Sequence, residues 1–211
     1  MAPAADQKSG ERRKVALIAH DLFEERGEEI SMADLVASGR ISRRALEQIF
    51  ESDDDLFEAT VELWFEPHVA IMEEVVTADL PPNRKMYEFF VRRFRVSRER
   101  FRADPHAFAL VCEMGAARFE RVRGFVDLAD HYLSELIAQS QAEGFFPGLE
   151  IDQALSLINQ MVANYTMPDA LNYLDDKLSE EKLARIIDTI FIGLSAEDGG
   201  SRGVNTLRIA T

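Results

Sequence analysis

Apolar residues recur at helical spacing along nearly the whole chain, and no stretch alternates with the period of two that marks a half-buried strand. Val15, Ile18, Ala19, Leu22 and Phe23 form one face of a first helix, which Gly27 stops. Ser31 caps a second helix that carries Met32, Leu35 and Val36 inward and ends near Gly39; Ser42 then caps a third, from Arg43 to Phe50. The turn between these two is only a few residues long. Such spacing crosses two helices steeply and leaves the later one with a face on the core and a face outside, the arrangement that fits a DNA major groove.

The pattern stays helical beyond. Leu56 to Val76 reads as a long helix that Pro67 should kink, because proline lacks an amide hydrogen and clashes with the preceding turn. Leu80-Pro81-Pro82-Asn83 breaks the chain, Arg84 to Arg102 follows, and Asp104-Pro105 ends that segment. His106 to Ala117, Phe119 to Glu143, Asp152 to Leu174 and Ser179 to Leu194 are the remaining helices, with Gly144 to Gly148 as a loop. The expectation is an all-α protein of about nine helices. Residues 1–57 would form an N-terminal arm and helix-turn-helix domain, 58–197 a larger effector-binding and dimerisation domain, and 198–211 a flexible tail.

Particular residues of the first segment carry a family resemblance. Ala19 with Leu22-Phe23, Gly27, Ser31-Met32, Leu35-Val36, Ile41-Ser42, Phe50 and Leu56-Phe57 resemble the N-terminal domain of the TetR family of one-component transcriptional regulators. The likeness implies a ligand-responsive DNA-binding regulator, a repressor released by a small-molecule effector. It implies two copies joined through the last two helices, whose recognition helices must sit about 34 to 36 Å apart to enter successive major grooves. Ser31, Arg40, Ser42, Arg43, Arg44, Glu47 and Gln48 would then meet a double-stranded DNA operator. Arg43, Arg44 and Gln48 would read bases, since arginine pairs with guanine and glutamine with adenine.

Three positions depart from the family pattern where it meets DNA: Arg40 replaces the turn glycine, Glu47 a phosphate-touching tyrosine, and Asp53 the lysine opening the next helix. Residues 1–58 hold eight Lys and Arg against fourteen Asp and Glu, a net of minus six, opposite in sign to an ordinary DNA-binding domain. Arg40, Arg43 and Arg44 nevertheless cluster at the turn, and an arm with Arg12, Arg13 and Lys14 could reach the DNA backbone. Asp53-Asp54-Asp55 reads either as a capped helix start, with Ser52 or Asp53 as cap, or as a surface that avoids DNA or binds a basic partner. The alternative function is a TetR-like protein without DNA binding that senses a ligand or binds a protein.

Composition narrows the setting. The net charge of −14 argues against a nonspecific nucleic-acid coat and an anionic membrane surface. No apolar run is long enough to cross a bilayer, the N-terminus lacks a signal-peptide core, and the single cysteine, Cys112, forms no intrachain disulfide, so the expected location is cytoplasmic. Trp64, Phe90, Phe94, Phe108, Cys112, Tyr132 and Tyr165 are candidates for an apolar ligand pocket, and equally fit an ordinary core. Leu155, Ile158, Met161 and Val162, with Leu183, Ile187, Ile190 and Phe191, are candidates for the dimer interface.

Eight positive charges between Arg84 and Arg102 face only Glu88 and Glu99; they form a solvated face, dock an acidic surface such as Asp53 to Asp55, or supply one arginine to an anionic ligand. His68, His106 and His131 lie on separate segments without metal-ligand spacing, no cofactor is implied, and no phosphate loop or nucleophile motif supports an enzyme.

Overall fold

The computed structural model of the chain describes residues 3–197, 199 and 200, with side chains from residue 8 onward. All regular structure among them is helical, as the periodicity predicts. The helices are α1 (Pro3–Arg26), α2 (Met32–Ala37), α3 (Arg43–Ile49), α4 (Asp53–Thr77), α5 (Pro82–Ala103), α6 (Pro105–Ala117), α7 (Phe119–Ala142), α8 (Ile151–Thr166), α9 (Leu171–Leu174) and α10 (Glu180–Leu194). They divide into two compact units. One holds residues up to Pro67 together with Asp104–Gly124, the other His68–Ala103 together with the residues from Phe125 on. The boundary expected at residue 57 therefore falls instead inside α4, at the proline where the helix loses a backbone donor.

In the first unit, local signals set the helix ends. Gly27 and Gly39 take the left-handed conformation, φ +65° and +72°, that stops α1 and α2. Ser31 caps α2 in a capping box with Asp34, and Ser42 Oγ accepts the Ala45 N–H at 3.3 Å to start α3. Phe50 leaves α3 in extended conformation and Ser52 Oγ accepts the Asp55 N–H at 3.2 Å, so serine is the cap of α4. Ala19 and Leu22 of α1, Leu35 of α2, Leu46 and Phe50 around α3, and Leu56 of α4 share one buried core. Each large side chain there contributes about 1.5–3 kcal/mol by leaving water.

Two expectations need correction here. Residues 12–14 are not an arm, because α1 already runs through them. Arg12 donates to Asp55 Oδ1 at 2.6 Å and to the Ile49 carbonyl at 3.4 Å, and its guanidinium lies 4.8 Å from the Phe50 ring centre. Secondly, 104–124 packs with the N-terminal helices. Arg118 donates to Glu29 at 2.6 Å and covers the Phe57 ring at 4.7 Å, Arg121 pairs with Glu58 and Asp54, and Trp64 meets Phe108 at 5.8 Å between ring centres.

The second unit is built on α5, α8 and α10, which bury Phe89, Phe90 and Phe94 against Ile158, Val162 and Tyr165 and against Leu183, Ile187 and Ile190. The single helix expected over 152–174 ends at Thr166. Pro168 forces Met167 into extended conformation, φ −83° and ψ 112°, and a 3₁₀ turn at Pro168–Ala170 leads into α9. Phe146, in the 144–148 loop, adopts φ +53°, and its ring is fully buried 4.9 Å from that of Phe191, which offsets the strain. The tail expected over 198–211 lies outside the described residues except for Gly199 and Gly200; Gly199 is buried beside Leu149.

Candidate functional site

The pair α2 and α3 presents its polar residues outward. Arg43, Arg44, Glu47 and Gln48 are all exposed, while Leu46 of the same helix is 1% exposed. The N-terminal position of the two arginines follows from the Ser42 cap, which begins the helix one residue earlier. The other expected DNA contacts have partners within the unit. Ser31 Oγ donates to the Asp34 carboxylate, which falls below the ordinary carboxylate range because that hydroxyl and the Ser31 N–H bond to it. Ser42 Oγ is occupied by its cap, and the Arg40 guanidinium holds both oxygens of Glu25, at 2.5 and 2.7 Å.

Charge in this unit is spent internally almost everywhere else. Arg12, Arg13, Arg26, Arg40, Arg118, Arg121 and Arg123 each meet a carboxylate. Among the described arginines of the unit, Arg43 and Arg44 have no such partner. The acidic run is likewise engaged: Asp53 accepts the Met32 N–H at 2.6 Å, Asp54 pairs with Arg118 and Arg121, and Asp55 with Arg12. Asp53 thus satisfies a free donor at the start of α2, and its negative charge suits that helix end.

The expected pocket residues are divided between the two units. Trp64, Phe108 and Cys112 belong to the first unit and Phe90, Phe94, Tyr132 and Tyr165 to the second. Phe94 meets Tyr165 edge to face at 5.1 Å, and the Tyr165 hydroxyl donates to the Ser179 carbonyl at 3.1 Å. Tyr132 donates instead to Glu73 at 3.3 Å. The first unit has an open cleft lined by Lys8, Ser9, Arg12, Arg13, Glu62 and Glu66, and none of the expected pocket residues lines it.

The burial of two polar groups in the second unit was not legible in the sequence. His68 is 6% exposed, and burial together with the charges of Arg93 and Arg100 pushes its pKa down to about 3, so the imidazole is neutral. Burial pushes Arg93 down to about 10 against a weaker opposing pull from Asp130. Spacing gave one hint: Arg93 follows Phe89 by four residues and so shares its side of α5. Other arginines of the run pair with carboxylates of their own unit, Arg92 with Glu74, Arg95 with Glu180, and Arg98 and Arg102 with Asp175, rather than with Asp53 to Asp55.

Residues 82–187, which span most of these second-unit helices, match the model of the tetracyclin repressor-like C-terminal domain. The chain belongs to the tetracyclin repressor-like (TetR) family. No curated protein matches it.

The family's C-terminal domain is where the dimer face was expected, and most of the residues expected on it are buried. Ile158, Val162, Leu183, Ile187, Ile190 and Phe191 point into the core of their own unit, because α5, α8 and α10 bury the same apolar stripes against one another. Of the expected set, Met161 is 45% exposed and Leu155 partly so. Ile192 on α10, 79% exposed, is an outward apolar residue that the sequence reading left out. No described helix of this TetR-family chain is long and apolar enough to cross a membrane.

Proposed function

We propose that the chain is a ligand-responsive, DNA-binding transcriptional regulator that acts as a homodimer, a repressor released by a small-molecule effector. Membership of the TetR family supports the effector-binding and dimerisation role of the second unit. The observation that carries the DNA-binding part is the pairing pattern of the arginines. A unit with so many carboxylates neutralises its other described arginines internally and leaves Arg43 and Arg44 unpaired on the exposed start of α3. Free guanidinium groups at that end of a recognition helix are placed to pair with guanine edges, with Gln48 one turn on. Dimerisation through the outward sides of α8 and α10, around Leu155, Met161 and Ile192, would supply the second half-site reader.

A second reading, a ligand-sensing or protein-interaction partner without DNA binding, is favoured by Glu47, an exposed carboxylate on the same face, and by the engagement of Ser31, Arg40 and Ser42 within the unit. Selection of bound fragments from the source genome at low salt separates the two. The regulator yields a near-palindromic site, at which Arg43→Ala costs about 1 to 3 kcal/mol at one base position. No enrichment at low ionic strength, where phosphate contacts are strongest, ends the DNA-binding reading.

A further inference from the structure

Five arginines of α5 are matched to carboxylates: Arg84 to Glu88, Arg92 to Glu74, Arg95 to Glu180, and Arg98 and Arg102 to Asp175. Arg93 differs. Its side chain is only partly exposed, its guanidinium stacks 5.0 Å from the Phe89 ring centre, and its Nε is sealed from solvent without an acceptor. Among the described residues no carboxylate lies within ion-pair reach of it. The opposing charge that acts on it, Asp130, accepts a hydrogen bond from Asn159 Nδ2 at 2.8 Å and reaches Arg93 only through space.

A sealed, charged donor without an acceptor is costly, and native proteins seldom keep one without a use for it. Here the overall charge is −14, so carboxylates were abundant, and the neighbouring arginines found them. Arg100, partly buried, acts with Arg93 on the same buried, neutral imidazole of His68 and so adds positive potential to the surroundings. The place therefore favours an incoming anion.

Geometry narrows its class. A guanidinium offers Nε–H and one Nη–H in a planar fork that fits the two oxygens of a carboxylate, and a single unpaired arginine balances one negative charge. The ring of Phe89 covers one face of the guanidinium, so an anion meets its planar edge. We propose that Arg93 anchors the carboxylate of the effector, and that the effector class is a small organic monoacid. This rests on the ligand-responsive part of the function proposed above.

The test uses the full chain without DNA. Its melting temperature and binding heat are measured with sodium decanoate and sodium benzoate, and with decan-1-ol and benzyl alcohol at matched ionic strength. At least one carboxylate should raise the melting temperature while its alcohol does not. Arg93→Met should weaken that carboxylate by about tenfold to a hundredfold. Arg92→Met, whose arginine is held by Glu74, should leave the affinity unchanged. Should Arg93→Met fail to fold, Arg93→Lys, which keeps the charge and loses the fork, takes its place with a smaller but measurable loss. Failure of both carboxylates to bind the wild type, equal binding of acid and alcohol, or unchanged affinity in the Arg93 variant would overturn the proposal. A chain that binds a carboxylate but selects no DNA fragment keeps the anchor and loses the regulator; one that selects DNA and ignores both acids loses the anchor alone.

Discussion

Asp55→Ala removes the tie between α1 and the start of α4. Asp55 accepts from Arg12 at 2.6 Å and from the Glu51 N–H at 3.0 Å, and the side chains of the pair are only 22% and 23% exposed. A hydrogen bond to a charged partner is worth about 1.5–3 kcal/mol. Arg12 keeps the Phe50 ring and some water after the substitution, so the loss is placed at about 2 kcal/mol, or about 4–8 °C for a chain of this size. The chain's one tryptophan, Trp64, lies in the same unit, so its fluorescence in urea follows the unit directly.

The pH dependence has a definite sign. The bond to Arg12 holds the Asp55 carboxyl below its ordinary value, so its contribution is complete above about pH 4 and is lost as the pH falls through the folded-state pKa. The difference between wild type and Asp55→Ala should therefore be flat from pH 5 to 7 and shrink in more acidic solution. A double-mutant cycle with Arg12→Ala should give a coupling of about 1–2 kcal/mol. An Asp55→Ala protein within about 0.5 kcal/mol of wild type at pH 7, or an Arg12–Asp55 coupling near zero, would refute the assignment of this pair as the link.

His68 should stay neutral across pH 5 to 8, with a flat imidazole NMR shift; a midpoint between 6 and 7 would contradict its burial. Because its folded pKa of about 3 lies below the unfolded value, stability is full above pH 6.5 and falls by about 1.4 kcal/mol per pH unit below it. Met161→Glu should turn a light-scattering dimer into a helical monomer, whereas Ile187→Ala, at 1% exposure, should cost about 2–5 kcal/mol of folding stability instead. A wild-type monomer at micromolar concentration would remove the dimer from the proposal.

Helix identity and most helix ends were legible in the sequence because they rest on nearest neighbours. Gly27, Ser31, Gly39, Ser42 and Ser52 act on backbone groups within three or four residues, and each ends or begins a helix as its type dictates. Pro168 was equally local, yet a long apolar stripe hid the break it imposes. The match over 82–187 shows the family through the second unit, whereas the resemblance of the first fifty residues rests on their own sequence pattern. Pairing across long separations was not legible. Arg118 finds Glu29 and Arg95 finds Glu180, because the charge that a guanidinium meets is set by which helices pack, not by spacing. The same reason joined 104–124 to the N-terminal helices and turned the stripes of α8 and α10 inward. Amphipathic periodicity fixes that a face is apolar; only the packed structure decides whether that face meets its own core or a partner. For the same reason a count of arginines marked both α3 and α5 as basic, while tertiary packing alone left Arg43 and Arg44 on one without a carboxylate and sealed the Nε of Arg93 on the other without an acceptor.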